Sequence, residues 1–339
     1  MKTIDKVVDI KENSLDAEVL SVLLMDRTTG ENIIWATDDY SSMGDGYSAT
    51  SQMKIELITG DNGMVIKPRI EKDKYAQTQR SKDKAEVFTP SWVCNAQNNI
   101  VDDAWFGKHS NRFNKETGTT WESTYPRKDP NDLRDRIKFP NKPGKTWKDY
   151  VLANRLEVSC GEAPYLTSRY DTVIGKYIKP KNRIGLLDRK LRVISENTPN
   201  APTWLNWAEK ALQSTYGFEW QGDNILLARE NLLLAVVEAY NERFGTLIKK
   251  ERLLRFAEII SWNIWQMDGI KFVIPNTCHA VKDSQMNLFG EEAVEITECP
   301  GCKSGNKLSH NGIYATIMDW EESKIIRFVD MMEGVKING

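Results

Sequence analysis

The rhythm of apolar and polar positions changes along the chain, and each change predicts a different kind of element. Over residues 15–70 the pattern is that of short strands and turns. VLLMDRTTGENIIWAT sets two β-rich runs around Thr29-Gly30, and IELITGDNGMVI repeats the arrangement around Asp61-Asn62-Gly63, which is the grammar of hairpins. Residues 67–84 are polar and carry both charges, as an exposed connection does. A helix is then expected, capped by Thr89 with Pro90 in its first position and Trp92, Ala96 and Ile100 on one face. Residues 107–148 read as an irregular excursion. A short strand follows at 155–159, ending in Cys160-Gly161, and a second polar excursion fills 170–202. The text then turns helical: an amphipathic segment at 205–214, a strand at 216–219, and a long helix at 225–244 stopped by Gly245. Residues 253–264 are apolar nearly all round and predict a buried helix. From Lys271 the pattern reverts to strands, with a hairpin in YATIMDWEESKIIRFVDM. The class is therefore α/β, with a β-rich N-terminal segment (1–75), a central α/β domain (76–270) and a small C-terminal β module (271–339).

Composition narrows the function classes. A length of 339 residues suits about two domains. Lys and Arg number 46 against 48 Asp and Glu, a net charge of -2. That excludes a uniformly basic nucleic-acid coat and leaves room for a local basic face. The N-terminus has no continuous apolar run. The most apolar stretch, 225–240, is broken by Arg229, Glu230 and Asn231, so it cannot span a bilayer. Five cysteines, an odd count, suit a reducing compartment better than a disulfide scaffold. The expectation is a soluble cytoplasmic protein with no membrane partner.

Short segments in a fixed order carry the candidate chemistry. Phe88-Thr89-Pro90 opens a helix. Leu156-Glu157-Val158-Ser159-Cys160-Gly161-Glu162-Ala163 is a strand running into a tight turn, where small residues let a ligand approach the backbone. Tyr216-Gly217-Phe218-Glu219 puts a carboxylate at a strand end, a position suited to a ribose diol. Ala228-Arg229-Glu230-Asn231-Leu232 follows on a helix, and Asn263-Ile264-Trp265-Gln266-Met267-Asp268-Gly269 comes later. Alone, each is compatible with an ordinary turn or a solvated acid. Together they resemble the S-adenosylmethionine (SAM) site of the DNA adenine-N6 methyltransferases, notably the modification subunits of type I restriction systems.

The resemblance covers residues 85–269. It implies a Rossmann-like SAM-dependent methyltransferase domain whose cofactor is held by Phe88, Thr89, Pro90, Glu157, Cys160, Gly161, Ala163, Glu219 and Asp268. It also implies DNA as substrate and a specificity or restriction subunit as partner. The family's catalytic (N/D/S)-P-P-(Y/F) segment is absent after Asp268, where Ile274-Pro275-Asn276 stands. Adenine-N6 transfer needs hydrogen-bond acceptors for the amino group and an aromatic ring to stack on a flipped base. Thr37-Asp38-Asp39-Tyr40 upstream makes Asp39 and Tyr40 the catalytic candidates, with a polar hairpin turn as the competing reading. The alternative function is a catalytically inactive methyltransferase-like DNA-binding or sensor protein.

A second constellation is metal-like. Cys299-Pro300-Gly301-Cys302 is a CxxC knuckle, with Cys278 and His279 upstream and His310 downstream. Adjacent Cys278 and His279 cannot easily share one ion, so the expected ligands of a structural zinc are Cys278, Cys299, Cys302 and His310. Free cysteines in a terminal hairpin are the alternative. A redox CxxC is disfavoured because no helix is expected to open at the knuckle after a strand. Finally, seven basic residues lie between Lys176 and Arg192. Lys179, Lys181 and Arg183 are expected to hold DNA phosphates, with Trp105, Trp121, Trp147 and Trp204 either stacking on bases or anchoring loops to the core.

Overall fold

Asp16 accepts a hydrogen bond from the Glu18 amide and so starts helix α1 (Ala17–Leu24) where the pattern predicted a strand. Val19, Leu20, Leu23 and Leu24 are all buried, a three-four spacing that one helical face satisfies better than an alternating strand. The turn expected at Thr29-Gly30 is present. Asp26 accepts from the Thr28 amide and the Thr29 hydroxyl, and Met25 bridges to Asn32. The N-terminal segment is thus corrected from β-rich to helices and turns, with helix α2 (Ile55–Ile58) and isolated bridges instead of strands. Burial against the rest of the chain outweighed the β propensity of Val and Ile. The computed structural model describes residues 12–84, 89–107, 112–125, 136–286 and 292–332.

Helix α3 (Lys74–Lys84) precedes α4 (Ser91–Phe106), which is capped at Pro90 rather than Thr89. The face α4 buries is also not the one predicted. Cys94, Asn95, Asn98, Asp102 and Phe106 point inward, while Trp92 and Ile100 stay exposed. The polar members are all matched. Asn95 exchanges amide hydrogen bonds with Asn114, Asn98 donates to the Tyr165 and Ile184 carbonyls, and Asp102 accepts from Tyr150 and Arg189. Strands β1 (Asn114–Thr117) and β2 (Thr120–Ser123) then form an antiparallel pair. Helix α5 (Trp147–Leu152) starts with a reciprocal Thr146–Asp149 cap.

The central sheet has three parallel strands, β3 (Arg155–Val158), β4 (Thr215–Glu219) and β5 (Ile264–Gln266), in sequential order. Helices α6 (Leu186–Asn197) and α7 (Ala201–Gln213) connect the first two strands, and α8 (Gly222–Phe244) and α9 (Lys250–Asn263) the next two. The four helices pack on one another and on the sheet face that carries Ile264. Helix α8 is buried nearly all round, as expected where a crossover helix is itself covered. Arg229 lies inside it and donates to the carbonyls of Ile264, Leu23, Met25 and Ser261.

The other sheet face is covered over β4 and β5 by C-terminal residues. These form hairpin β6–β7 (Val281–Met286, Glu292–Thr297), helix α10 (Pro300–Ser304), hairpin β8–β9 (Thr316–Asp319, Lys324–Arg327) and helix α11 (Phe328–Met332). Phe218 and Trp265 from the sheet share a core with Phe272, Ile274, Ala315, Ile317, Phe328 and Val329. The described C-terminal residues are therefore built onto the sheet and share its core.

Candidate functional site

The strand ends that the sequence singled out meet at the carboxyl edge of the sheet. Cys160 extends β3 by donating to the Phe218 carbonyl. The chain then takes left-handed geometry at Ser159, Gly161 and Ala163, with φ of 50°, 52° and 62°. For the two residues other than glycine this costs roughly 1–2 kcal/mol each. The turn is tied to its neighbour strand, because the Gly161 amide donates to Glu219 Oε2 at 3.0 Å. The other carboxylate oxygen of Glu219 accepts from the Trp220 amide at 2.8 Å. Glu157 turns its carboxylate back onto the amides of Tyr165 and Leu166. Burial pushes its carboxyl up to about 8, a rise that those two amides oppose and Glu219 reinforces. Asp268, after β5, caps its own turn through the Ile270 and Lys271 amides. The Thr89 carbonyl accepts from Thr172 and Cys94 and its side chain bonds Tyr165, while Phe88 lies outside the described residues.

The upstream candidates come to the same edge. The Gln266 side chain bonds both the amide and the carbonyl of Ile34, and the Trp220 indole donates to the Ala36 carbonyl. These contacts lay residues 34–36 over the ends of β4 and β5. Tyr40, however, donates to Asp223 Oδ2 at 2.7 Å, and Asp39 pairs with Arg80 at 2.9 Å. Lys72 and Arg80 also pair with Asp223 at 2.9 and 3.0 Å. Burial alone would raise the Asp223 carboxyl, yet these two cations hold it far below the usual range. Sequence reasoning picked out Asp39 and Tyr40 but missed the other three members of this five-residue network, Lys72, Arg80 and Asp223, which lie far apart in the chain and outside any motif.

The basic run needs correction. Arg183 is buried and pairs with Glu238, Arg189 pairs with Asp102 at 2.6 Å, and Arg192 pairs with Glu196 at 2.7 Å. Lys190 is buried against the carbonyls of Ala153 and Ser214. Lys176, Lys179 and Lys181 remain exposed. The charge pattern was legible but the helix that internalises half of it was not. The tryptophans act as anchors: Trp204 is fully buried, Trp105 packs on Tyr150, Trp147 packs on Trp207, and Trp121 donates to the Asn182 carbonyl.

Cys278, Cys299, Cys302 and His310 converge, with their ligand atoms within 4.8 Å of one another. His310 Nδ1 lies 3.7, 3.6 and 3.8 Å from the three sulfurs. A tetrahedral ion with metal–sulfur and metal–nitrogen bonds of ~2.3 and ~2.0 Å separates such ligands by about 3.6 Å. The spacing fits, so the cluster can hold a metal ion. Burial works against ionisation of Cys299, but the Asn311 and Cys302 amides, His310 and the Gly301 amide together bring its thiol down to about 6. Gly301 is required by space: a Cβ there would stand 2.6 Å from the His310 ring. His279 faces the Thr277 carbonyl instead. Contrary to the sequence expectation, the knuckle does open a short helix after a strand, with Cys299 as the N-cap of α10. What sets it apart from a redox pair is the third thiol and the imidazole at ligand distance. Comparison of the chain with family models, curated proteins and solved structures found no match.

Proposed function

We propose that this chain is a SAM-dependent DNA methyltransferase acting on adenine N6 in a restriction-modification or phage-defence setting, with a structural zinc in its C-terminal region. The observation that carries the reading is the hydrogen bond from the Gly161 amide to Glu219, which joins the turn after β3 to the acid that ends β4. Open parallel sheets with helical crossovers bind ligands outside the carboxyl ends of their strands, the edge at which Gly161 and Glu219 meet. Glu219 presents the acceptor oxygens that a ribose diol requires and is held in place by the Gly161, Trp220 and Gln221 amides. SAM, when bound, supplies an electrophilic methyl group, and the protein's part is to seat it and the base. Cys278, Cys299, Cys302 and His310 would hold zinc as a crosslink between two segments of chain.

A second reading is favoured by one contact. The Tyr40 hydroxyl is committed to Asp223, which suits a SAM-binding protein that transfers nothing and acts as a DNA-binding partner or sensor. Incubation with methyl-tritiated SAM and mixed-sequence duplex DNA separates the two. Label recovered as N6-methyladenine, and lost in Tyr40→Ala with SAM affinity retained, supports the enzyme. SAM binding without any labelled DNA supports the sensor. Absence of SAM binding rejects both.

A further inference from the structure

The C-terminal residues cover the sheet only over β4 and β5. On the same face of β3, Leu156 is 44% exposed. Between this strand, the end of α7 and the β8–β9 hairpin lies a cavity of about 550 Å³. That volume falls within the roughly 300–1,000 Å³ of small-molecule sites. It is separate from the carboxyl edge of the sheet, since its floor is Leu156, Tyr216 and Trp265. Trp320 and Phe328 supply further walls.

The charge at its rim has a sign. Asp319 and Glu321 line it against a single ammonium, that of Lys210. Burial, and then the negative charges of Asp319 and Glu321, push the Tyr216 phenol up to about 12, so a neutral hydroxyl faces an electronegative space at neutral pH. Among the described residues this hydroxyl has no hydrogen-bond partner. Trp320 already accepts a cation, with the Arg255 guanidinium 5.5 Å from its ring. Aromatic faces combined with carboxylates favour a desolvated cation over an anion.

We infer that this cavity binds a small organic cation with an apolar body, the rings and Leu156 holding the body and the Asp319 and Glu321 carboxylates holding the charge. The site is independent of the cofactor reading. The test is calorimetric titration of the full chain with benzyltrimethylammonium, alongside 3-phenylpropionate and 3-phenylpropanol as anionic and neutral probes. Two exposed positions serve as variants: Glu321→Gln removes a rim charge, and Met331→Trp fills the mouth. The cation should bind saturably and in preference to both other probes. Glu321→Gln should weaken it roughly three- to tenfold, and Met331→Trp should abolish it, both variants melting with the parent. Equal binding of the anionic or neutral probe, or unchanged affinity in Met331→Trp, overturns the inference. So does a dimer in sedimentation that Met331→Trp converts to monomer, which would give the cavity to a second copy of the chain.

Discussion

Arg229 has no exposed surface, and its guanidinium serves four main-chain carbonyls, one each from α1, the turn after it, α9 and β5. It is the hub that fastens the N-terminal helix to the sheet. Arg229→Met would leave those acceptors buried and unmatched, at about 3–5 kcal/mol in total. Urea denaturation should show that loss, and a variant as stable as the parent would reject the assignment. Glu157 gives a pH-dependent counterpart. Its carboxyl sits at about 8 in the folded chain, above its value in an unfolded one. The folded state then binds the extra proton across the window from about pH 4.5 to 8. Stability is fully present below that window and falls as pH rises through it, by roughly 1.4 kcal/mol per unit. Glu157→Gln should flatten this slope, and identical pH profiles for the two proteins would place the proton elsewhere. Neither charge advertised its burial in the sequence, where Arg229 read as an interruption of an apolar stretch.

Elements whose pattern is fixed by their own chain were read correctly, and those fixed by partners were not. Strands β3 and β4 and helices α8 and α9 follow from local runs with clear stops such as Gly245, whose φ is +65°, whereas β5 was not foreseen, because Ile264 closes the apolar run that predicts a helix. Helix α4 could not be oriented, because its inward face is built from Asn95, Asn98 and Asp102, each matched by a partner distant in sequence. For the same reason the basic run split: α6 turned Arg189 and Lys190 inward and left Lys176, Lys179 and Lys181 outside. If DNA binds this side, replacing those three lysines by Ser should weaken it and reduce the salt slope by about 2–3. An unchanged slope would leave them as a solvated surface. Arg183→Ser belongs to a different class, since it removes a buried partner of Glu238 and should lower stability instead.

Across the molecule two apolar cores back onto one sheet. The larger lies under the helices, and the smaller joins Phe218 and Trp265 to the C-terminal residues. The cluster that can hold a metal ion was legible as a CxxC with outlying Cys and His, whereas this shared core was not, because its members are single residues spread over some hundred positions. The arrangement changes what metal loss should do. Stripping the ion with a chelator, or Gly301→Ala, should lower the melting temperature of the whole sheet domain together with the terminal hairpin. Elemental analysis should find one zinc per untreated chain. A chelated protein with the parent's melting curve would separate the metal from the fold.

The central claim is that the carboxyl edge of the sheet, at Gly161 and Glu219, seats SAM. Its most direct test is calorimetric titration of the purified chain with SAM, repeated on Glu219→Gln and Gly161→Val. Gly161 has φ +52° with open space around it, so valine there strains the backbone without a clash. The account predicts one site per chain, weakened at least about tenfold, or 1.4 kcal/mol, in Glu219→Gln and lost in Gly161→Val, with both variants folded. A chain that binds no SAM, or variants that bind it as the parent does, would contradict it.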